Sequence, residues 1–232
     1  MLFRSYSGLA LSATRSAKNS RAATVYISDW AQEEAEVGHT AEAKHLAASA
    51  MTTTDRNLRL LLAFALARAG DINTARRIAL EEDRDAPSDT DVQFYSLPAI
   101  RAAIELQQKN PRQAIEALRP ALDYELATPE GINNMYPSYL RGLAYLQLHQ
   151  GTQAAAEFQK LIDHPGIVMR NVTGALTRLQ MARAQQMEGN TTAALHYYEE
   201  FLALWKEADP DLQPLREAKA EYAHLRVAHS SE

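Results

Sequence analysis

Apolar residues along this chain recur at helical spacing, the pattern that gathers them on one face of an α-helix. The densest stretch runs from Leu58 to Ala69 and is interrupted by Arg59 and Arg68. Between such stretches lie short breaks rich in Gly, Asn, Pro and Asp, residues that end helices and open turns. The breaks align. A glycine ends one stretch and an alanine follows five residues later: Gly38 and Ala43, Gly70 and Ala75, Gly189 and Ala194. Lys109 precedes Ala114 at the same distance, with Asn110 taking up the turn, and His149 precedes Ala154, with Gly151 nearby. This predicts five helical hairpins. Gly or Asn takes the left-handed conformation that closes the first helix, and the small Ala lets the second helix approach it closely.

Other positions repeat with the same register. Small residues stand on the first helices at Ala31, Ala63, Ala102, Gly142 and Ala182. Fillers stand four residues after the key alanine at Leu118, Phe158 and Tyr198, and Ala50 and Ala121 lie seven after it. Pro87 is placed to stop the second unit. The key alanines are spaced by 32, 39, 40 and 40 residues. The longer intervals collect turn residues at Asp85–Asp89, Thr128–Gly131 and Asp163–Gly166, which predicts long connections or long helices between units. Residues 2–20 read as one helix without a partner, the second half of an incomplete unit or a cap. Leu215, Ala218, Tyr222 and Leu225 give the C-terminal helix one apolar face, as a cap with a polar outer side needs. The expected organisation is an N-terminal helix (1–21), five hairpins (22–208) and a C-terminal capping helix and tail (209–232).

Composition agrees with an all-α fold. The 232 residues include 41 Ala and 28 Leu but only 15 Val and Ile together. Ala and Leu lose little side-chain freedom in a helix, whereas sheets draw on β-branched residues. The absence of cysteine rules out disulfides, thiolate metal sites and thiol nucleophiles. No apolar run approaches the ~18 residues that a membrane span needs. The first 28 residues carry Arg4, Arg15, Lys18 and Arg21 and no acid. Leu9–Leu11 is too short an apolar core for a signal peptide, so a basic amphipathic helix is the expectation. The net charge of -5 argues against nucleic acid, whose binding depends on neutralising phosphates.

The recurring residues resemble the tetratricopeptide repeat, which sets a small residue, Tyr, Gly, Ala, Phe, Ala and Pro at fixed offsets in ~34 residues. Gly142-Leu-Ala-Tyr145 followed by Ala154-Ala-Ala-Glu-Phe158 carries the likeness most fully; Ala182, Gly189, Ala194 and Tyr198 repeat it. The first unit departs, with Glu34 and Ala47 where the family has Tyr and Phe. The segments Gly151–Ile167, Tyr197–Leu212 and Leu97–Leu106 further resemble the C-terminal repeat region of bacterial, especially acidobacterial, serine/threonine protein kinases and winged-helix regulators. The resemblance implies a right-handed superhelical solenoid that binds a protein or peptide, an interaction or sensor module of a signalling protein. Its alternative is a small-molecule-sensing ectodomain. The compartment would be the cytoplasm for a stand-alone chain and extracytoplasmic if the region follows a membrane helix.

Catalytic chemistry finds no footing in the sequence. There is no Gly-x-Gly-x-x-Gly, His-Arg-Asp, Asp-Phe-Gly or Gly-x-Ser-x-Gly, so neither kinase nor hydrolase machinery is present. None of the seven His pairs at the spacing of a helical zinc site. Asp83, Asp85, Asp89 and Asp91 fail as a calcium loop, since Ser88 and Phe94 stand where Gly and Glu are required. Glu33/Glu34 and Glu199/Glu200 are sequence neighbours, splayed by about 100° on a helix. No catalytic residue, cofactor or metal is expected. The family binds its partners in the groove lined by the first helices. The matching offsets here name Phe64, Arg68, Tyr136, Tyr139, Leu143, Arg183 and Gln186, with Ala99 and Ala103 between them. The Lys and Asn by which co-chaperone relatives hold a terminal carboxylate are replaced by Ser28, Gln32, Leu60, Phe64, Tyr139 and Leu143. Tyr136 and Tyr139 are equally suited to pack on a neighbouring unit.

Overall fold

A computed structural model describes residue 12, residues 20–169 and residues 171–229. Among these residues every regular element is helical. The first hairpin is α1 (Ser20–Glu36) with α2 (Thr40–Ala50), the second α3 (Arg56–Arg68) with α4 (Ile72–Asp85). A π-helical turn (Val92–Ser96) runs into α5 (Leu97–Gln107), which pairs with α6 (Pro111–Ala117). A 3-10 turn (Arg119–Tyr124) follows. Then α7 (Tyr136–Gln147) pairs with α8 (Gly151–Asp163). After the short α9 (Pro165–Val168), α10 (Val172–Met187) pairs with α11 (Thr191–Leu204), and α12 (Gln213–His229) follows. The expected N-terminal helix over 2–20 lies almost wholly outside the described residues.

The five hairpin turns share one hydrogen-bond pattern. In each, an N–H is donated to the carbonyl five residues back: His39 to Glu34 and Asp71 to Leu66 at 2.8 Å, then Asn110 to Glu105, Gln150 to Tyr145 and Asn190 to Gln185 at 2.9 Å. This satisfies carbonyls that a helix end leaves open, provided the preceding residue is left-handed. Gly38, Gly70 and Gly189 supply that residue in three turns, while Lys109 (φ 61°) and His149 (φ 55°) supply it in the other two. Asn110 is therefore not the left-handed residue expected of it. Gly151 is not in a turn either. It opens α8, where a Cβ would stand 2.7 Å from the carbonyl oxygen of Ala184.

The alanines five residues beyond these turn positions, at 43, 75, 114, 154 and 194, are all fully buried. So are Ala31, Ala63, Ala102 and Ala182 on the first helices. At Gly142 a Cβ would lie 2.5 Å from the ring of Phe158, so the aromatic filler of α8 presses on bare backbone of α7.

Proline explains two irregular segments. Pro120 has no N–H to continue α6, and its ring would clash with the carbonyl four residues back; the chain tightens into the 3-10 turn instead. Pro98 sits one residue into α5. The wider π-helical turn before it relieves the same conflict at Phe94. The long connections foreseen from the spacing appear at residues 125–135 and around α9.

The first helices form a row: α1 meets α3, α3 meets α5, α5 meets α7, and α7 meets α10. α10 also meets α1, so the row turns back until its last member reaches its first. One apolar core runs through all the hairpins, from Ile27 to Leu225.

Candidate binding cleft

The α10–α1 contact brings together side chains from both halves of the chain. At the end of α1, Glu36 is fully buried and accepts two hydrogen bonds from Arg68 on α3, Nε at 2.7 Å and Nη2 at 2.8 Å. This fork is the strong bidentate form of a charge-assisted pair. Burial works against the Arg68 charge, but Glu36 outweighs it and holds the guanidinium firmly protonated. The helix that precedes this pair is fixed by Asp55, whose carboxylate accepts from the N–H groups of Asn57 and Leu58 and caps α3.

Aromatic rings pack behind the ion pair. Phe64 meets Tyr136 edge-on at 4.7 Å, Tyr136 meets Tyr139 at 6.1 Å, and Tyr139 meets Phe158 at 6.1 Å. Phe64, Tyr136 and Tyr139 are all buried. Burial pushes both phenols up, with the negative charge of Glu36 adding to it. They remain neutral hydrogen-bonding groups throughout the physiological range.

Arg183 on α10 forms a second fork. Its Nε donates to Glu221 at 2.9 Å, and its Nη2 donates to Glu221 at 2.7 Å and to Glu217 at 2.8 Å. Both carboxylates belong to α12, one turn apart. Burial opposes the guanidinium charge, and the two carboxylates more than restore it. Tyr198 on α11 donates its hydroxyl to the same Glu221 at 2.8 Å. Burial resists the charge on Glu217, but hydrogen bonds from Gln213 and Arg183 hold its carboxyl below the ordinary range.

Between the two forks lies a cleft of about 190 Å³. Glu36, Arg68, Tyr139, Gln180, Arg183 and Glu217 supply its polar wall, and Leu143, Leu176 and Leu179 an apolar one. Of the seven groove candidates, Arg68, Tyr139, Leu143 and Arg183 meet here. Phe64 and Tyr136 belong to the core behind it and offer a partner no surface. Gln186 is exposed and pairs with the Tyr198 hydroxyl, whose single proton goes to Glu221, outside the cleft. Four of the groove candidates thus line a polar cleft, and two lie in the core. Nothing local marks Glu36, Glu217 or Glu221, because their partners lie 32 to 38 positions away.

A separate acidic pair lies on α1. Asp29 faces solvent and Glu33 is half-buried. Although the residue is largely exposed, partial desolvation by the protein raises the Asp29 carboxyl to about 6. Burial, then repulsion from Asp29 and Glu34, raises that of Glu33 to about 8. Among the described residues no group of three or more His, Asp or Glu is placed to hold a metal ion. No described helix is long and apolar enough to cross a membrane. Compared with known proteins, the chain matches no family model and no curated protein.

Proposed function

We propose that this chain is a non-catalytic protein- or peptide-binding module of the tetratricopeptide type, a right-handed superhelical solenoid of five hairpins, acting as the interaction region of a bacterial signalling protein. The observation that carries the reading is the cleft between the Arg68–Glu36 and Arg183–Glu217/Glu221 forks. Its volume of about 190 Å³ falls short of the roughly 300–1,000 Å³ of small-molecule sites. It accommodates one side chain or chain end of a peptide. The charged walls are already oriented by their partners, so binding there costs little reordering.

The second reading is a small-molecule sensor. It draws on the cleft being walled by α1, α3, α7, α10 and α12 together, so that a small polar guest would tie the two halves of the chain to each other.

Peptides selected by display on the immobilised chain test the first reading, with Leu143→Trp as the control that fills the cleft. The expected result is at least a tenfold loss of affinity at unchanged Tm. Selected peptides that bind Leu143→Trp as tightly as the parent chain overturn the location. A metabolite that raises Tm where no peptide is selected favours the sensor. Turnover of an ester or phosphate substrate overturns the non-catalytic assignment.

A further inference from the structure

The helix α12 follows a linker and rests on few buried side chains. Eight non-helical residues separate it from α11, and α11 is its principal packing partner. It buries only Leu215, Ala218 and Leu225, with Tyr222 half-buried between them. Its polar attachment includes a hydrogen bond from the Tyr222 hydroxyl to Glu199 at 2.7 Å and a charged seat at Arg183. The Arg183 guanidinium takes Glu217 and Glu221 together, and the Tyr198 hydroxyl takes Glu221. Arg183 therefore reads two carboxylates spaced one helical turn apart, and Leu215, Ala218 and Leu225 fit the apolar surface beside it. The seat is not filled to its end. Gln213, Pro214 and Glu217 form one wall of the cleft, and about 190 Å³ stays open at the start of α12.

We propose that the α10–α11 face under α12 is the docking site for an acidic amphipathic helix of a partner protein, and that α12 occupies it as an intramolecular stand-in. This rests on the peptide-binding reading above and names the partner's chemistry. The partner helix carries two Glu at i and i+4, an aliphatic residue two before the first Glu, a small one just after it and a second aliphatic four after the second Glu. Helix-in-groove recognition works through such anchors on one face. The tether gives α12 a high effective concentration, so a partner binds only by out-competing it.

A labelled peptide spanning Gln213–His229 tests the proposal on the full chain. The isosteric double substitution Glu217→Gln/Glu221→Gln weakens the resident helix and leaves its shape. The expected result is at least tenfold tighter peptide binding to this variant than to the parent chain. Adding Arg183→Ala to it should abolish that binding, and a peptide carrying both Gln should not bind. Leu225→Ala in the chain weakens the resident helix by an independent route and should also open the site. Equal binding to parent and both opened variants, or none to either variant, overturns the proposal. If display-selected peptides still bind the cleft in that case, the peptide-binding reading survives. If no peptide binds any variant, both fall.

Discussion

Arg183 donates two parallel hydrogen bonds to Glu221 across 38 positions of the chain, 2.9 Å from Nε and 2.7 Å from Nη2. Family offsets mark Arg183 as a surface anchor free for a partner, whereas the structure spends its charge on α12. Removing it should therefore affect stability as well as binding. For a half-exposed pair the loss expected of Arg183→Ala is about 1–2 kcal/mol, confined to α12. Hydrogen exchange should show faster exchange from Gln213–His229 with the hairpins unchanged. Uniform destabilisation would contradict a local latch.

The Arg68–Glu36 pair is buried far more deeply. Arg68→Met leaves a buried carboxylate without its cation, for a loss of about 3–5 kcal/mol. Combining it with Glu36→Leu removes the stranded charge and should recover most of that loss. Urea unfolding of the two variants checks this. A double variant as unstable as the single one would show that the fork is needed for packing rather than for charge balance.

Glu33 sets a dependence on pH. Its carboxyl is raised from 4.5 to about 8 in the folded chain. Between those values the folded state binds more protons than the unfolded state, so stability falls as pH rises. Its contribution is fully present below about 4.5 and lost by about 8. Asp29, raised from 3.8 to about 6, acts in the same direction at lower pH. Glu33→Gln should raise Tm at pH 8 by roughly 2–4 °C, the equivalent of ~1 kcal/mol in a chain of this size, with a smaller change at pH 5. An equal shift at both pH values would contradict the assignment.

The contact between Gly142 and Phe158 tests the hairpin interior. Gly142→Ala forces its Cβ against the ring and should cost about 1–3 kcal/mol. A second substitution, Phe158→Leu, should be less harmful in this background than in the parent chain. Ala154→Trp should cost at least as much as Gly142→Ala, since Ala154 is fully buried between the paired helices and Trp is far larger. Additive effects at 142 and 158 would mean that the two residues do not meet.

The repeated features were legible because they are local. Turn position, key alanine and first-helix small residue lie within one hairpin, and residue spacing carries their signal. Lys109 and His149 misled the turn reading only in detail, because the hydrogen bonds of the turn outweigh the preference for glycine. A left-handed non-glycine costs about 1–2 kcal/mol. The cleft was less legible. Arg68, Tyr139, Leu143 and Arg183 were reachable from family offsets, but whether they face solvent depends on how far the row of first helices curves. That curvature brings α10 to α1. No single segment records it, and neither Glu36 nor the α12 carboxylates can be matched to their arginines before the row closes.

Hydrogen exchange of the full chain, with and without a display-selected peptide, tests the central claim most directly. The account predicts new protection at Ala35–Gly38, Tyr139–Leu143 and Leu176–Arg183, together with faster exchange from α12 as the peptide takes its place. Protection confined to α2, α4 and α8, with α12 unchanged, would contradict it.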